Sequence, residues 1–424
     1  MPETFLEPQV LESLSRMEKA DILVGIPSYN NAGTISHVVS SVQVGLAKYF
    51  PGYKSIIVNS DGGSTDGTRE AVSSTTLGDP RAFMIMHEAS EPYMIVTPYM
   101  GVPGKGSAVR TIFGVAQRSG ARACALVDSD LRSITPEWVE LLIKPVLEGG
   151  FDFVAPMYKR HKYDGTITNN IVYPMTSALY GKKVRQPIGG DFGFSGRLAS
   201  FYLTKDVWHT DVARFGIDIW MTTTAIANGF KVCQSYLGAK LHDPKDPGAD
   251  LSAMLYQVVS ALFDLTEEYN GVWRQIDGAE EVPLFGFQYE VGLEPVAVNV
   301  DRMIEKFRLG VDELVPLWKE FLSRDVMDLL HELAHSPKSG FGFQDELWAK
   351  ALYEFALKYH RKDLNREILL KSLTPLYLGK VASFVIEMAD CGAGEVEKRI
   401  DGIRRAFEYG KPDFIKNWFS GGHP

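Results

Sequence analysis

The segment Cys124-Ala125-Leu126-Val127-Asp128-Ser129-Asp130-Leu131 restricts what this chain can become more than any other. It begins as an apolar run fit for a buried strand and stops at two carboxylates spaced i, i+2. On a strand such residues point the same way, and just past its end both can converge on one ion. An α/β sheet keeps its ligand site at the carboxyl ends of its strands, where these acids would fall. Hard oxygen ligands in an open site suit Mg²⁺ or Mn²⁺ holding a diphosphate. The plainer reading is that Asp128 and Asp130 end a strand and cap the next helix, so their surroundings decide.

Those surroundings repeat one unit. Asp21–Pro27 reads as a buried strand, Ser28-Tyr29-Asn30-Asn31 offers side-chain caps, and a helix follows over 32–49. Ser55–Val58 is a second strand, leading into the polar turn Asn59-Ser60-Asp61-Gly62-Gly63-Ser64. Strand, polar turn and helix in succession argue a doubly wound nucleotide-binding sheet. Asp61, just past its strand, can bond a base or ribose, or simply organise the turn. Strands also fit Phe83–His87 and Met94–Thr97, and Pro103-Gly104-Lys105-Gly106 then opens a helix reaching Arg118. Glycines around a lysine at a helix start let backbone N–H groups approach an anion while the lysine neutralises it. The spacing is not that of a Walker loop, and a plain turn has the same composition.

Thr135-Pro136 starts a helix, with a cap followed by proline at the first helical position. Phe151–Met157 is a strand that runs into the basic tetrad Lys159-Arg160-His161-Lys162. A solvated loop would carry such charge equally well, but this one falls on the sheet edge of Asp61 and Asp128. Asp164 to Asn170 is rich in hydrogen-bonding groups ahead of a helix through Tyr180. Gly189 and Gly190 allow a small ligand close to the backbone. Asp218 stands in the first turn of a helix, where complementing the dipole is its ordinary role. Gly229–Leu237 is a strand, and Lys240-Leu241-His242 places a histidine at its exit.

With 424 residues, two domains are expected, and the texture changes near 248. The periodic stretches 251–269, 301–308, 311–322, 346–359, 367–388 and 394–409 are helical, without comparable strands after about 240. The division expected is a catalytic domain over 1–247 and an all-helical domain over 248–424. Phe341–Trp348 reads as interdomain packing or as part of an acceptor pocket. A net charge of -9 argues against nucleic acid or an anionic membrane as partner. Cys124, Cys233 and Cys391 are scattered among apolar neighbours, as in a reducing compartment. Without a signal-peptide pattern or a long uninterrupted apolar window, a soluble cytoplasmic protein is expected.

Together these motifs resemble a nucleotide-sugar transferase of the GT-A fold, a doubly wound mixed sheet, from Asp21 to about Lys245. Within that fold the chain is similar to the retaining enzymes that form glycosylglycerates, mannosylglycerate synthase and glucosyl-3-phosphoglycerate synthase. Gln186-Pro187-Ile188-Gly189-Gly190-Asp191 and Phe215-Gly216-Ile217-Asp218 are the most telling pieces. The resemblance implies that Asp130 and His242 ligate Mg²⁺ or Mn²⁺, with Asp128 beside them. Pro27, Tyr29, Asn31, Asp61, Ser129 and Lys105 would bind the nucleotide and diphosphate. Asp191 and Asp218 would hold donor-sugar hydroxyls, and the Ile188 carbonyl would lie near the anomeric carbon. Arg160, Asp164 and Thr168, with Gly189 and Gly190, would bind the acceptor.

The phosphoglycerate enzymes grip the acceptor phosphate with two basic residues. This chain has Thr166 at the first position and Asp243-Pro244-Lys245 around the second. The expected acceptor is therefore D-glycerate or a similar hydroxy acid, with 3-phosphoglycerate as the alternative. Tyr29-Asn30-Asn31 replaces a charged residue of both relatives, leaving GDP-, UDP- and ADP-hexose open as donors. The expected reaction retains the anomeric configuration by front-face attack, with Asp191 or Asp218 as nucleophile in the double-displacement variant. An inverting transferase would need a catalytic base, and a nucleotidyltransferase a glycine-rich loop after the first strand. A sugar-nucleotide-binding regulator is the non-enzymatic alternative. Oligomeric state, a homo-oligomer included, is left open.

Overall fold

The computed structural model describes residues 5–75, 91–241, 252–289 and 292–420. The strand expected at Phe83–His87, the candidate ligand His242, and Asp243-Pro244-Lys245 lie outside the described residues. The chain forms two compact units. One takes residues 1–159, 184–243 and 282–293; the other takes 160–183, 244–281 and 294–424. A single boundary at 247 thus misses two exchanges, because pairing rather than chain position assigns each segment. Leu284 and Phe285 join the sheet beside Gln234 and Ser235, late in a region whose pattern reads as helical.

The sheet unit contains β1 (Ile22–Ser28), β2 (Ser55–Asp61), β3 (Tyr93–Pro98) and β4 (Ala123–Leu126). It continues with β5 (Phe153–Lys159), β6 (Phe192–Ser195), β7 (Val232–Ala239) and β8 (Leu284–Phe285). Their order is β8-β7-β5-β6-β4-β1-β2-β3. β6 runs antiparallel to β4 and β5, and the remaining pairs are parallel. This is the mixed, doubly wound sheet expected. β6 escapes a reading by pattern, since Phe-Gly-Phe-Ser is too short to show a period.

Every residue of β1 is buried, as a strand covered on both faces requires. Val24 and Ile26 face a core shared with Val39, Trp138 and Leu142 from the helices Ile35–Tyr49 and Pro136–Leu147. The alternate residues face the helix Lys105–Ser119: a Cβ on Gly25 would stand 2.5 Å from Ile112. Phe113 of that helix packs against Phe194 and Tyr202, with ring centroids 5.3 and 5.2 Å apart. Burying each such side chain contributes roughly 1.5–3 kcal/mol. The parallel register brings the ends of β1, β2, β4, β5 and β7 to one edge, which fixes where a site can form.

The helical unit is built from Tyr173–Tyr180, Ser252–Glu268, Val300–Trp318, Arg324–His335, Asp345–Arg361, Arg366–Glu387 and Ala393–Phe419. Val300–Trp318 is one helix where two were expected. Gly310 breaks its apolar pattern for a packing reason: a Cβ there would come within 2.3 Å of Pro375. Arg366–Glu387 is long and apolar enough to cross a membrane, yet most of its apolar window is buried inside the protein. Phe341 and Phe343 pack against Phe307, and Trp348 against Phe343, within this unit, so they are core rather than pocket lining.

Candidate active site at the carboxyl edge of the sheet

Past β1, the loop 28–34 is knitted to the loops after β2 and β4. The Asn31 carboxamide oxygen accepts from Tyr29 N at 3.0 Å and from Ser129 Oγ at 2.7 Å. Thr34 Oγ1 donates to Ser129 O at 2.8 Å. Asn31 is one of the expected helix caps, but the helix begins only at Ile35 and the Asn31 side chain bridges loops instead. Asp61 is buried, and its oxygens accept from Gly63 N, Ser64 N, Ser64 Oγ and Ser28 Oγ. A carboxylate has about four acceptor positions, so the turn consumes all of them and none remains for a base or ribose. Pro27 is buried at the end of β1, while the Tyr29 side chain is 63% exposed and presents its ring to solvent.

Beyond β4 and β7 lies a chain of alternating charges. Lys105 Nζ stands 2.9 Å from Asp128 Oδ1 and 3.1 Å from Asp218 Oδ1. Lys240 Nζ stands 2.7 Å from Asp128 Oδ2, 2.7 Å from Asp191 Oδ2 and 2.8 Å from Gly189 O. Asp191 also accepts from Asp128 N at 2.7 Å and from the Tyr158 hydroxyl. Burial works against the charge of Lys105, but Asp128 and Asp218 outweigh it and hold its pKa above the usual lysine range. Burial likewise opposes the charge of Asp128, and the two ammonium groups outweigh it and push its pKa down. For Asp191 and Asp218 burial prevails over Lys240 and Lys105 respectively, and both pKa values rise. Three acids face two cations, so the set holds one more carboxyl than its cations can balance.

The glycines serve this cluster rather than an open ligand space. Gly190 has φ 90°, and a Cβ there would fall 2.1 Å from Asp128 Oδ2 and 2.9 Å from Lys240 Nζ. Gly189 is pressed against Pro156, 2.2 Å from where its Cβ would be. Gly106 likewise admits the turn 211–214 to the start of the lysine-bearing helix: its Cβ would meet Val212 O at 1.9 Å. Carbonyls of the 187–190 turn are occupied on both sides of Ile188. Pro187 O accepts from Thr222, Gly189 O from Lys240, and Gly190 O from Lys105 at 3.4 Å. Ile188 O accepts no hydrogen bond among the described residues.

The two aspartates of the Asp-Ser-Asp turn part company. β4 stops at Leu126, so strand alternation no longer governs them. Asp128 is committed to lysines, whereas Asp130 is half-buried and has no hydrogen-bond or ion-pair partner among the described residues. Among the described residues no three His, Cys, Asp or Glu side chains are grouped to hold a metal. An open carboxylate such as Asp130 is a hard oxygen donor that fits Mg²⁺ or Mn²⁺. Lys240 is the residue that reading by motif missed. It stands two places before His242, and a lysine closing a strand among acids is a signal that points to it.

Arg160, Asp164 and Thr168 belong to the helical unit, while Gly189 and Gly190 belong to the sheet unit. Arg160 Nη1 lies 3.4 Å from Asp164 Oδ2, whose other oxygen accepts from Gly165 N at 2.7 Å. Thr168 is buried at the start of a π-helical turn, Thr168–Val172, a distortion often found at functional sites.

Residues 81–264 match the family model of the mannosylglycerate synthase GT domain. The matched stretch contains Lys105, Asp128 to Asp130, Ile188 to Asp191, Asp218 and Lys240. That stretch is similar to a glycosyltransferase domain of the mannosylglycerate synthase type. No curated protein matches the chain significantly. Solved structures of glucosyl-3-phosphoglycerate synthase from Mycobacterium tuberculosis are distantly similar. The complex with phosphoglyceric acid is 20% identical, covering 61% of this chain and 83% of that chain, with a TM-score of 0.43. The complex with Mn²⁺, uridine diphosphate and phosphoglyceric acid is 22% identical, covering 60% and 81%, with a TM-score of 0.43. In this chain the charged cluster sits at the carboxyl edge of the sheet, where a nucleotide-sugar enzyme of this fold is expected to work.

Proposed function

We propose that this glycosyltransferase moves a hexosyl unit from a nucleoside-diphosphate sugar to D-glycerate or a similar small hydroxy acid in the cytoplasm, with retention at the anomeric carbon. What carries the reading is the Lys105–Asp128–Lys240–Asp191 chain beside Asp130, which has no partner among the described residues. Asp130, with His242, would hold a divalent cation, which when bound neutralises the diphosphate as a Lewis acid. Lys105 stays protonated between its acids and turns donors to the diphosphate as charge grows there. Asp218, at 3.1 Å from that lysine, accepts donor-sugar hydroxyls, and the buried Asp191 holds Lys240 and the Asp128 amide in place. The Ile188 carbonyl, without a hydrogen-bonded partner among the described residues, faces the positive charge of an oxocarbenium-like sugar.

Asp191 is fully buried and its oxygens accept from Asp128 N, Tyr158 and Lys240, which leaves it poorly placed as a covalent nucleophile. That supports front-face attack, the acceptor hydroxyl entering on the side the diphosphate leaves. Tyr29, exposed beside the closed Asp61 turn, is the better candidate to stack on the base. Arg160, Asp164 and Thr168 take the acceptor. Thr166 is buried and uncharged, which favours glycerate over its phosphate ester.

The test is nucleotide release with Mg²⁺ or Mn²⁺, pairing UDP-, GDP- and ADP-glucose and GDP-mannose with D-glycerate and with 3-phosphoglycerate. Glycerate-dependent release that disappears in Asp130→Ala is the expected result. Release with 3-phosphoglycerate alone would reverse the choice of acceptor. A folded protein that neither binds nor turns over any of these donors would end the proposal.

A further inference from the structure

The acceptor-recognising segment is held in shape by the C-terminal helices of its own unit. Lys162 Nζ donates to Met388 O at 2.7 Å, Ala389 O at 2.6 Å and Cys391 O at 3.3 Å. These carbonyls lie in the turn just past the helix Arg366–Glu387, at the end that carries partial negative charge. The most basic stretch of the chain therefore spends one cation on a helix terminus. Along the same helix, the Tyr377 hydroxyl lies 2.6 Å from Thr166 Oγ1, and both side chains are about 1% exposed.

A third tie explains the π-helical turn. Pro174 has no N–H, so Asn170 O cannot receive its ordinary i+4 hydrogen bond. The turn widens, Tyr173 N reaching back to Thr168 O, and Trp348 Nε1 donates to Asn170 O at 2.6 Å in place of the missing amide. Thr168 opens the widened turn, two residues from the Thr166–Tyr377 bond and four from Asp164. Arg160 and Asp164 sit in the loop that Lys162 pins.

From these three ties we infer that Lys162 and Tyr377 are positioning residues for the acceptor, so that acceptor selectivity is set by the C-terminal helices. The inference rests on the reading that Arg160, Asp164 and Thr168 bind the acceptor. Tyr377 supplies the fixed point for the helix that presents Thr168, and Lys162 supplies the one for the loop that presents Arg160 and Asp164. Neither residue is among those the reading assigns to the donor.

The experiment is steady-state kinetics on the full-length protein and on Tyr377→Phe, Lys162→Met and Lys162→Arg, varying donor and D-glycerate separately, with thermal unfolding of each. Losing one buried hydrogen bond corresponds to about a fivefold change in an equilibrium constant. The expected result is a rise of about 5- to 20-fold in the glycerate KM of Tyr377→Phe and Lys162→Met. Their donor KM and acceptor-independent donor hydrolysis stay within twofold of the wild type, and Lys162→Arg restores most of the glycerate affinity. An unchanged glycerate KM in the folded Tyr377→Phe protein overturns the inference alone. So do donor and acceptor KM values that rise together in step with lost thermal stability. Wild-type protein that shows no glycerate-dependent turnover overturns the underlying reading, and this inference with it.

Discussion

At the scale of single residues, Lys240 decides the state of two acids. Removing one partner of a buried ion pair leaves an uncompensated charge and costs about 3–5 kcal/mol. Lys240→Met is expected to lose that much stability at pH 7, measured by urea unfolding. Burial already raises the Asp191 pKa above the ordinary aspartate value, so the folded state takes up its proton before the unfolded chain does as pH falls. The loss in Lys240→Met should therefore shrink between pH 7 and pH 4, and a deficit that stays constant over this range would show Asp191 is not the group involved. Asp130 offers the contrast. With no partner among the described residues, Asp130→Ala should unfold within a few degrees of wild type while losing metal-dependent nucleotide release. Asp128, Asp130, Asp191, Asp218 and Lys105 could be singled out from their chain neighbours. Lys240, which joins two of them, carries only the local mark of a lysine closing a strand, because the partners that define its role are 49 and 112 residues away.

At the scale of elements, the strands and long helices follow from apolar period and turn chemistry, while their exceptions follow from packing. The polar turn after β2 announced itself, but that Asp61 would spend every acceptor on it depends on where Ser28 and Ser64 lie. β6 is four residues long and takes its antiparallel place from the neighbours β4 and β5. The helix through Tyr180 was legible, but its widened first turn needs Pro174 and an indole from 178 residues away. Trp348→Phe keeps the ring and removes the donor, leaving the buried Asn170 carbonyl unpaired at a cost of about 1–3 kcal/mol. Denaturation of that variant checks it, and stability equal to wild type would mean a solvent molecule serves equally well.

At the scale of the whole molecule, the chain passes from one unit to the other five times between 159 and 294. A cut at 247 removes β8 from the edge of β7. It also strips 160–183 of Tyr377, Trp348 and Lys411, the last of which donates to Ala178 O at 2.8 Å and to Ile276 O at 2.6 Å. Residues 1–247 expressed alone are therefore expected to lack a cooperative unfolding transition by circular dichroism and to elute as aggregate. A monomeric, cooperatively folding fragment would show that these exchanges are dispensable.

What the sequence determined by itself is the sheet, its edge and the acids placed there. Those depend on apolar runs, prolines, glycines and capping residues acting over a few neighbours, and such local physics is written in order along the chain. What only the tertiary structure decided is which acid meets which lysine, and which carboxylate is left open. It also decided that the segment 160–183, lying between two strands, folds with helices from the far end of the chain. Ion pairs and buried hydrogen bonds are chosen by distance in space, and residues 63, 112 or 211 positions apart carry no local mark of meeting.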